Sequence, residues 1–96
     1  MKYIMFCDTK NYRPVIFPDE FVHLEMAKAC MWMQELRGYL PVSAGFVQIG
    51  GTIAGREFDT TTYGESETLD LKSRPEDAKI ITQYEYGGKV IGGLIL

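Results

Sequence analysis

The stretch "DEFVHLEMAKACMWMQELRG", Asp19 to Gly38, decides how the rest of the chain must be arranged. Asp19 can serve as an N-cap, His23 is an alternative start, and Gly38 is a natural stop, so a helix is expected across it. At about 100° per residue, Glu25, Lys28, Trp32 and Glu35 fall on one narrow polar stripe. Val22, Leu24, Met26, Ala27, Ala29, Cys30, Met31, Met33 and Leu36 occupy most of the remaining circumference. One sheet face cannot cover so wide an apolar surface. The expectation is therefore a second layer, or another molecule, on the far side of this helix.

Working outward toward the start, "KYIMFC" (Lys2 to Cys7) is an apolar run bounded by turn formers, the pattern of a buried strand. "DTKNYR" is a loop. "PVIFP" (Pro14 to Pro18) is a short strand whose prolines cannot donate to a ladder, which favours a sheet edge. Together they predict an opening hairpin. Toward the C-terminus, "LPVSAGFVQIG" (Leu40 to Gly50) is a third strand, with Val42, Ala44, Phe46 and Gln48 alternating against Ser43, Gly45, Val47 and Ile49. "GGTIAG" reads as a turn holding a short apolar piece. "REFDTTTY" and "ESETLDL" favour β-structure and meet at Gly64, as a hairpin or as one bulged strand.

"KSRPEDAKIITQY" has the marks of a second helix start. Ser73 and Glu76 have capping-box spacing, Pro75 sits in the first turn, and Glu76 and Asp77 lie at the positive end of the helix dipole. Ala78, Ile80, Ile81 and Tyr84 form its buried side. The tail "YGGKVIGGLIL" suggests a last strand at Lys89–Ile91 and Leu94–Leu96. The order β-β-α-β-β-(β)-α-β describes an α+β domain with two helices and a mostly antiparallel sheet of about five strands.

With 96 residues, one small domain is expected over positions 1–96. The net charge is −3, and the ten basic residues are scattered along the chain, so direct nucleic-acid binding is not expected. The opening "MKYIMFCD" is too short for a signal-peptide core, and no stretch approaches the ~20 apolar residues of a membrane span. With only two cysteines, the expected setting is the reducing cytoplasm, with Cys7 and Cys30 as free thiols.

No catalytic constellation emerges. "YGESE" has Glu67 where the elbow pattern G-x-S-x-G requires glycine. Any nucleophilic triad would have to use His23, the only histidine. A carboxylate pair of the glycosidase type leaves no sequence trace, and so small a chain offers little room for a sugar cleft. One histidine and two distant cysteines match no zinc spacing, and the glycines match no phosphate loop, so neither a metal nor a cofactor is expected. Arg74 could hold an anion at a helix N-terminus, but pairing with Glu65, Glu67 or Asp70 is the simpler expectation.

"VIFPDEFVHLEMA", "PVSAGFV" and "YGESETLDLKSRPEDAKII" resemble a group of small proteins encoded by bacteriophages and prophages. The matching pieces cover about half of the chain; "GGTIAGREFDTTT" and the glycine-rich tail are longer than the group's pattern. The resemblance implies a phage origin, with host cytoplasm as the setting, and carries no mechanism. It places His23, Ser43, Tyr63, Ser66 and Arg74 in shared segments, as candidates for a ligand surface.

Three features go beyond a closed monomer: Trp32 on the polar stripe, the group Met26, Met31 and Met33, and the charge-free end "IGGLIL". The function expected is thus a non-enzymatic protein-binding module, a homodimer or a binder of a host or viral protein, possible targets including a host defence protein that it inhibits. The alternative is a small-molecule or nucleotide-binding protein. A minimal enzyme using His23 or a carboxylate pair comes third.

Overall fold

A computed structural model describes residues 1–87, 90–91 and 94–95, with side chains through residue 83 except Ile53. The fold is α+β. The expected opening hairpin forms, with its second strand starting at Tyr12, two residues before Pro14: β1 (Lys2–Cys7) pairs antiparallel with β2 (Tyr12–Phe17). Its loop is tied by Asp8, whose Oδ1 accepts the backbone N–H groups of Thr9, Lys10 and Asn11. β3 (Leu40–Gln48) lies on the other side of β1, and β6 (Thr61–Tyr63) pairs with the end of β3. The order β2-β1-β3-β6 gives a four-stranded antiparallel sheet with β2 at an edge, where Pro14 removes no inter-strand bond the sheet needs.

Register assigns each side chain to a face. Ile4 stands opposite Val15 and Ala44, while Tyr3 stands opposite Ile16 and Gly45. Directly opposed residues point the same way and successive ones alternate. On the first face Ile4, Phe6, Val15, Phe17 and Ala44 pack against Ala27 and Cys30 of α1 (His23–Met31) and against Leu36. On the second, Tyr3, Met5, Ile16 and Val47 pack against Ile81 of α2 (Pro75–Gly87). One helix therefore covers each face, and β1 is buried from Tyr3 to Phe6. Each such large apolar side chain contributes roughly 1.5–3 kcal/mol by leaving water.

The Asp19–Gly38 stretch departs from expectation. α1 is only nine residues long, from His23 to Met31. Asp19 is not its cap: Val22 occupies that position and makes no side-chain cap bond. Instead the hydroxyl of Thr68, from a distant turn, accepts the N–H of Leu24 at 3.2 Å. At the other end the N–H groups of Trp32 and Met33 bond to the Ala29 and Cys30 carbonyls, tightening the last turn. Met33 is extended, and a 3-10 turn at Gln34–Leu36 follows. A helix of this axis running to Gly38 would miss the core cluster that Leu36 joins. Gly38, with φ at +84°, serves the turn into β3 rather than a long helix's stop. Trp32 consequently does not lie on a helical stripe; it caps the end of α1.

Elsewhere the chain uses small hairpins where longer strands were expected. β4 (Gly51–Ile53) and β5 (Arg56–Phe58) pair only with each other, turning through Ala54 and Gly55 at φ +52° and +79°. β7 (Glu65–Ser66) and β8 (Leu71–Lys72) form a second pair, and β9 (Val90–Ile91) and β10 (Leu94–Ile95) a third. The described part of the tail is thus two paired strands rather than one final strand, with β10 lying beside β2, while Lys89 and Leu96 lie outside the described residues. Of the buried side expected for α2, Ile81 is buried and Ala78 and Ile80 are half-buried; the side chain of Tyr84 lies outside the described residues.

Candidate functional site

The polar centre of the molecule is Asp77, a residue the sequence marks only as a helix-start acid. It is fully buried, at 0% exposure. Asp77 is the third residue of α2, and its Oδ2 reaches back to accept the backbone N–H of Arg74 at 3.0 Å. This is the helix-to-cap bond of a capping box. The box is displaced by one residue from the expected Ser73–Glu76 pair: Asp77 makes it, because only its face of α2 looks into the sheet.

Four more hydrogen bonds converge on the same carboxylate. Tyr3 Oη–H donates to Oδ2 at 2.5 Å, and Ser43 Oγ–H donates to it at 2.7 Å. The Arg74 guanidinium donates to Oδ1 through Nε at 3.1 Å and Nη2 at 2.9 Å. Tyr3 comes from β1 and Ser43 from β3, both on the α2 face of the sheet. Burial pushes the Tyr3 phenol well above its ordinary range, and the adjacent Asp77 carboxylate adds to that. Arg74 is raised by its hydrogen bonds to Asp77, against the effect of its own burial. The guanidinium also lies over the Tyr12 ring at 5.4 Å. Its backbone carbonyl accepts from Thr62. Arg74 is therefore committed to Asp77, with Glu76 at 3.7 Å as a second acid, and not to Glu65, Glu67 or Asp70.

A buried carboxylate with this many charge-assisted bonds is a structural clasp. It locks α2 to two strands and offers no open side to a substrate. Among the described residues every buried side-chain nitrogen and oxygen has a partner.

The five candidates for a ligand surface do not share one pocket. His23 is 5% exposed on the α1 face, where its Nε2–H donates to the Gly45 carbonyl at 2.9 Å. The edges of Phe17 and Phe46 enclose its ring. Burial lowers its pKa below the ordinary value, and the nearby Lys2 charge acts in the same direction, so it is neutral at pH 7. Ser43 and Arg74 belong to the Asp77 clasp on the opposite face. Tyr63 is exposed on β6 and stacks on Phe46 at 5.7 Å. Ser66 is buried, and its Oγ accepts the N–H of Leu69 in the β7–β8 turn.

The methionines and tryptophan divide differently. Met26 and Met33 are half-buried against the α1-side core. They therefore offer less free surface than Met31. Met31 is 49% exposed and Trp32 is 90% exposed. Phe21 and Val22 are likewise exposed at the opposite end of α1. A shallow depression at the tip is lined by Met31, Trp32, Met33, Gln34 and Arg37. The wide apolar circumference read from the sequence thus narrows to the two ends of α1 once the helix stops at Met31 and Leu36 turns inward.

Among the described residues no group of three or more His, Cys, Asp or Glu is placed to hold a metal, and no helix is long and apolar enough to cross a membrane. Cys7 and Cys30 are free thiols. No protein family, curated protein or solved structure matches this chain.

Proposed function

We propose that this chain is a non-enzymatic protein-binding module that docks a partner through the Met31–Trp32 tip. The observation that carries it is the 90% exposure of Trp32. Tryptophan is a large apolar side chain, and it is enriched among the residues that dominate binding energy at protein interfaces. Here it contributes almost nothing to the core, so its surface is available to another molecule. Met31 beside it is an unbranched side chain that adapts to irregular partner surfaces.

The partner is a host or viral protein, with a second copy of the chain as the self-associating case. A phage origin and a host defence target fit the small size and the acidic balance, since an acidic domain can cover a basic functional surface. The expected setting is host cytoplasm. Two features favour binding over catalysis: Asp77 is closed off by five hydrogen bonds, and His23 is spent on a backbone carbonyl. A small-molecule or nucleotide site built from His23, Ser43, Tyr63, Ser66 and Arg74 has less support, because those residues sit on separate faces.

The test is affinity capture from phage-infected cells with wild-type, Trp32→Ala and Lys10→Ala baits, followed by reconstitution from purified components. The wild type and Lys10→Ala should retain the same partner. Trp32→Ala should weaken that complex by about 2 kcal/mol or more. Light scattering of the purified chain settles the homodimer case. A partner held equally by Trp32→Ala would overturn the assignment of the tip.

A further inference from the structure

We propose that the groove between the β4–β5 hairpin and α2 is a binding site for a neutral, polyhydroxylated ligand of the saccharide class. The hairpin is loosely integrated into the fold. Thr52 and every residue from Ala54 to Asp59 are exposed, and its strands pair only with each other. An isolated two-stranded hairpin is marginal in water. Its base is tied by the Gly50 N–H, which donates to Thr60 Oγ1 at 2.9 Å. The backbone there is so close that a Cβ on Gly50 would collide with the carbonyl of Phe58.

Across from the hairpin, α2 presents Pro75, Ala78, Lys79, Thr82 and Gln83. Those positions are spaced i, i+3, i+4, i+7 and i+8, so they form one face of the helix. It is not the face that carries Asp77 and Ile81 into the sheet. The groove between this stripe and the hairpin has a volume of about 680 Å³. That lies within the roughly 300–1,000 Å³ typical of small-ligand sites.

The chemistry of the lining selects the ligand. The hairpin side supplies the carboxylates of Glu57 and Asp59, and α2 supplies the Lys79 ammonium, the Thr82 hydroxyl and the Gln83 amide. Two acids against one base leave a balance of −1, which disfavours a phosphate or any other anion. An acyl chain would cover the apolar part of this lining but leave its carboxylates, ammonium and amide without partners. Sugar hydroxyls both donate and accept, so they match acceptor-only carboxylates, donor-only ammonium and an amide that does both. The Thr82 hydroxyl donates to the Ala78 carbonyl at 2.8 Å, which leaves its oxygen able to accept from a ligand. Phe58, half-exposed on the same hairpin, offers an apolar ring to the C–H face of a sugar. This site lies on the α2 side of the sheet, so its occupancy is read independently of Trp32.

The experiment is an amide NMR titration of the full chain with cellobiose, maltotriose and chitotriose, with spermidine as a charge control. Saturable shifts confined to residues 50–60 and 75–83, with a Kd on the order of 1 mM or tighter for one saccharide, are expected. Asp59→Asn combined with Gln83→Ala should weaken that Kd by about tenfold or more at unchanged Tm. Both side chains are exposed and lie outside the core, where substitutions usually leave stability nearly unchanged. Absence of shifts with all three sugars overturns the proposal. So do shifts centred elsewhere, and so does salt-sensitive spermidine binding that is tighter than any saccharide's.

Discussion

On the α1 side of the central sheet the contacts are apolar and the helix is short. Ala27 and Cys30 are small, and His23 is a buried polar group of α1 itself on that face. On the α2 side a similar apolar contact, Ile81 against Tyr3, Met5, Ile16 and Val47, is reinforced by a buried carboxylate with five hydrogen-bond donors. The difference shows where each face can spare surface. The clasp fixes α2 at its first turn, so α2 is committed to the fold. α1 is held by a borrowed cap and by small side chains, and its C-terminal tip is left to the solvent. A surface that the fold does not need is one that a partner can use.

The sharpest way to break this contrast is Asp77→Ala. Removing one member of a buried ionic cluster leaves the Arg74 guanidinium and the Tyr3 and Ser43 hydroxyls without their shared acceptor. A loss of about 3–5 kcal/mol is expected in urea denaturation, a large share of a small domain's total stability. Next in size is Gly45→Ala. A Cβ there would lie 2.6 Å from the Tyr63 carbonyl, between β3 and β6. Overpacking of this kind should cost about 1–3 kcal/mol by the same measurement.

On the α1 side the effects should be smaller. Thr68→Val removes the hydroxyl that accepts the Leu24 N–H. A loss of about 1 kcal/mol is expected, the usual value of a helix cap. His23 supplies a pH dependence. Its folded pKa lies below the ordinary 6.5, chiefly because it is buried. The unfolded chain therefore takes up the proton first, and stability contributed by neutral His23 is present above about pH 6.5 and is lost as the pH falls through the folded value. Urea midpoints measured from pH 7 downward should fall in the wild type and flatten in His23→Gln. The smallest effect belongs to Trp32→Ala, whose stability should match the wild type within about 0.5 kcal/mol.

Much of this architecture is legible in the chain. The apolar run of β1, the prolines that put β2 at an edge, and the Pro75 helix start all rest on local rules, and local rules held there. The longer helix failed because nine apolar side chains at helical spacing say nothing about where Leu36 finds the core. A tightened turn at Trp32 and Met33 lets it do so, and sequence periodicity does not register that choice. The clasp was half visible. An acid three residues after Arg74 is a legible cap, but the convergence of Tyr3 and Ser43 on it depends on strand register across 74 and 34 residues of separation. The β4–β5 hairpin was hidden because Ala54 adopts a left-handed conformation that alanine seldom takes.

The central claim is that Trp32 is bare in the folded chain and covered in the complex. Trp32 is the only tryptophan, so acrylamide quenching of intrinsic fluorescence reports on that one ring. Free chain at low concentration should quench as readily as a tryptophan in a short peptide, and adding the captured partner, or raising the concentration if the partner is a second copy, should protect it. A Trp32 that is already shielded in the dilute chain, or one that stays equally open in the complex, would contradict the account.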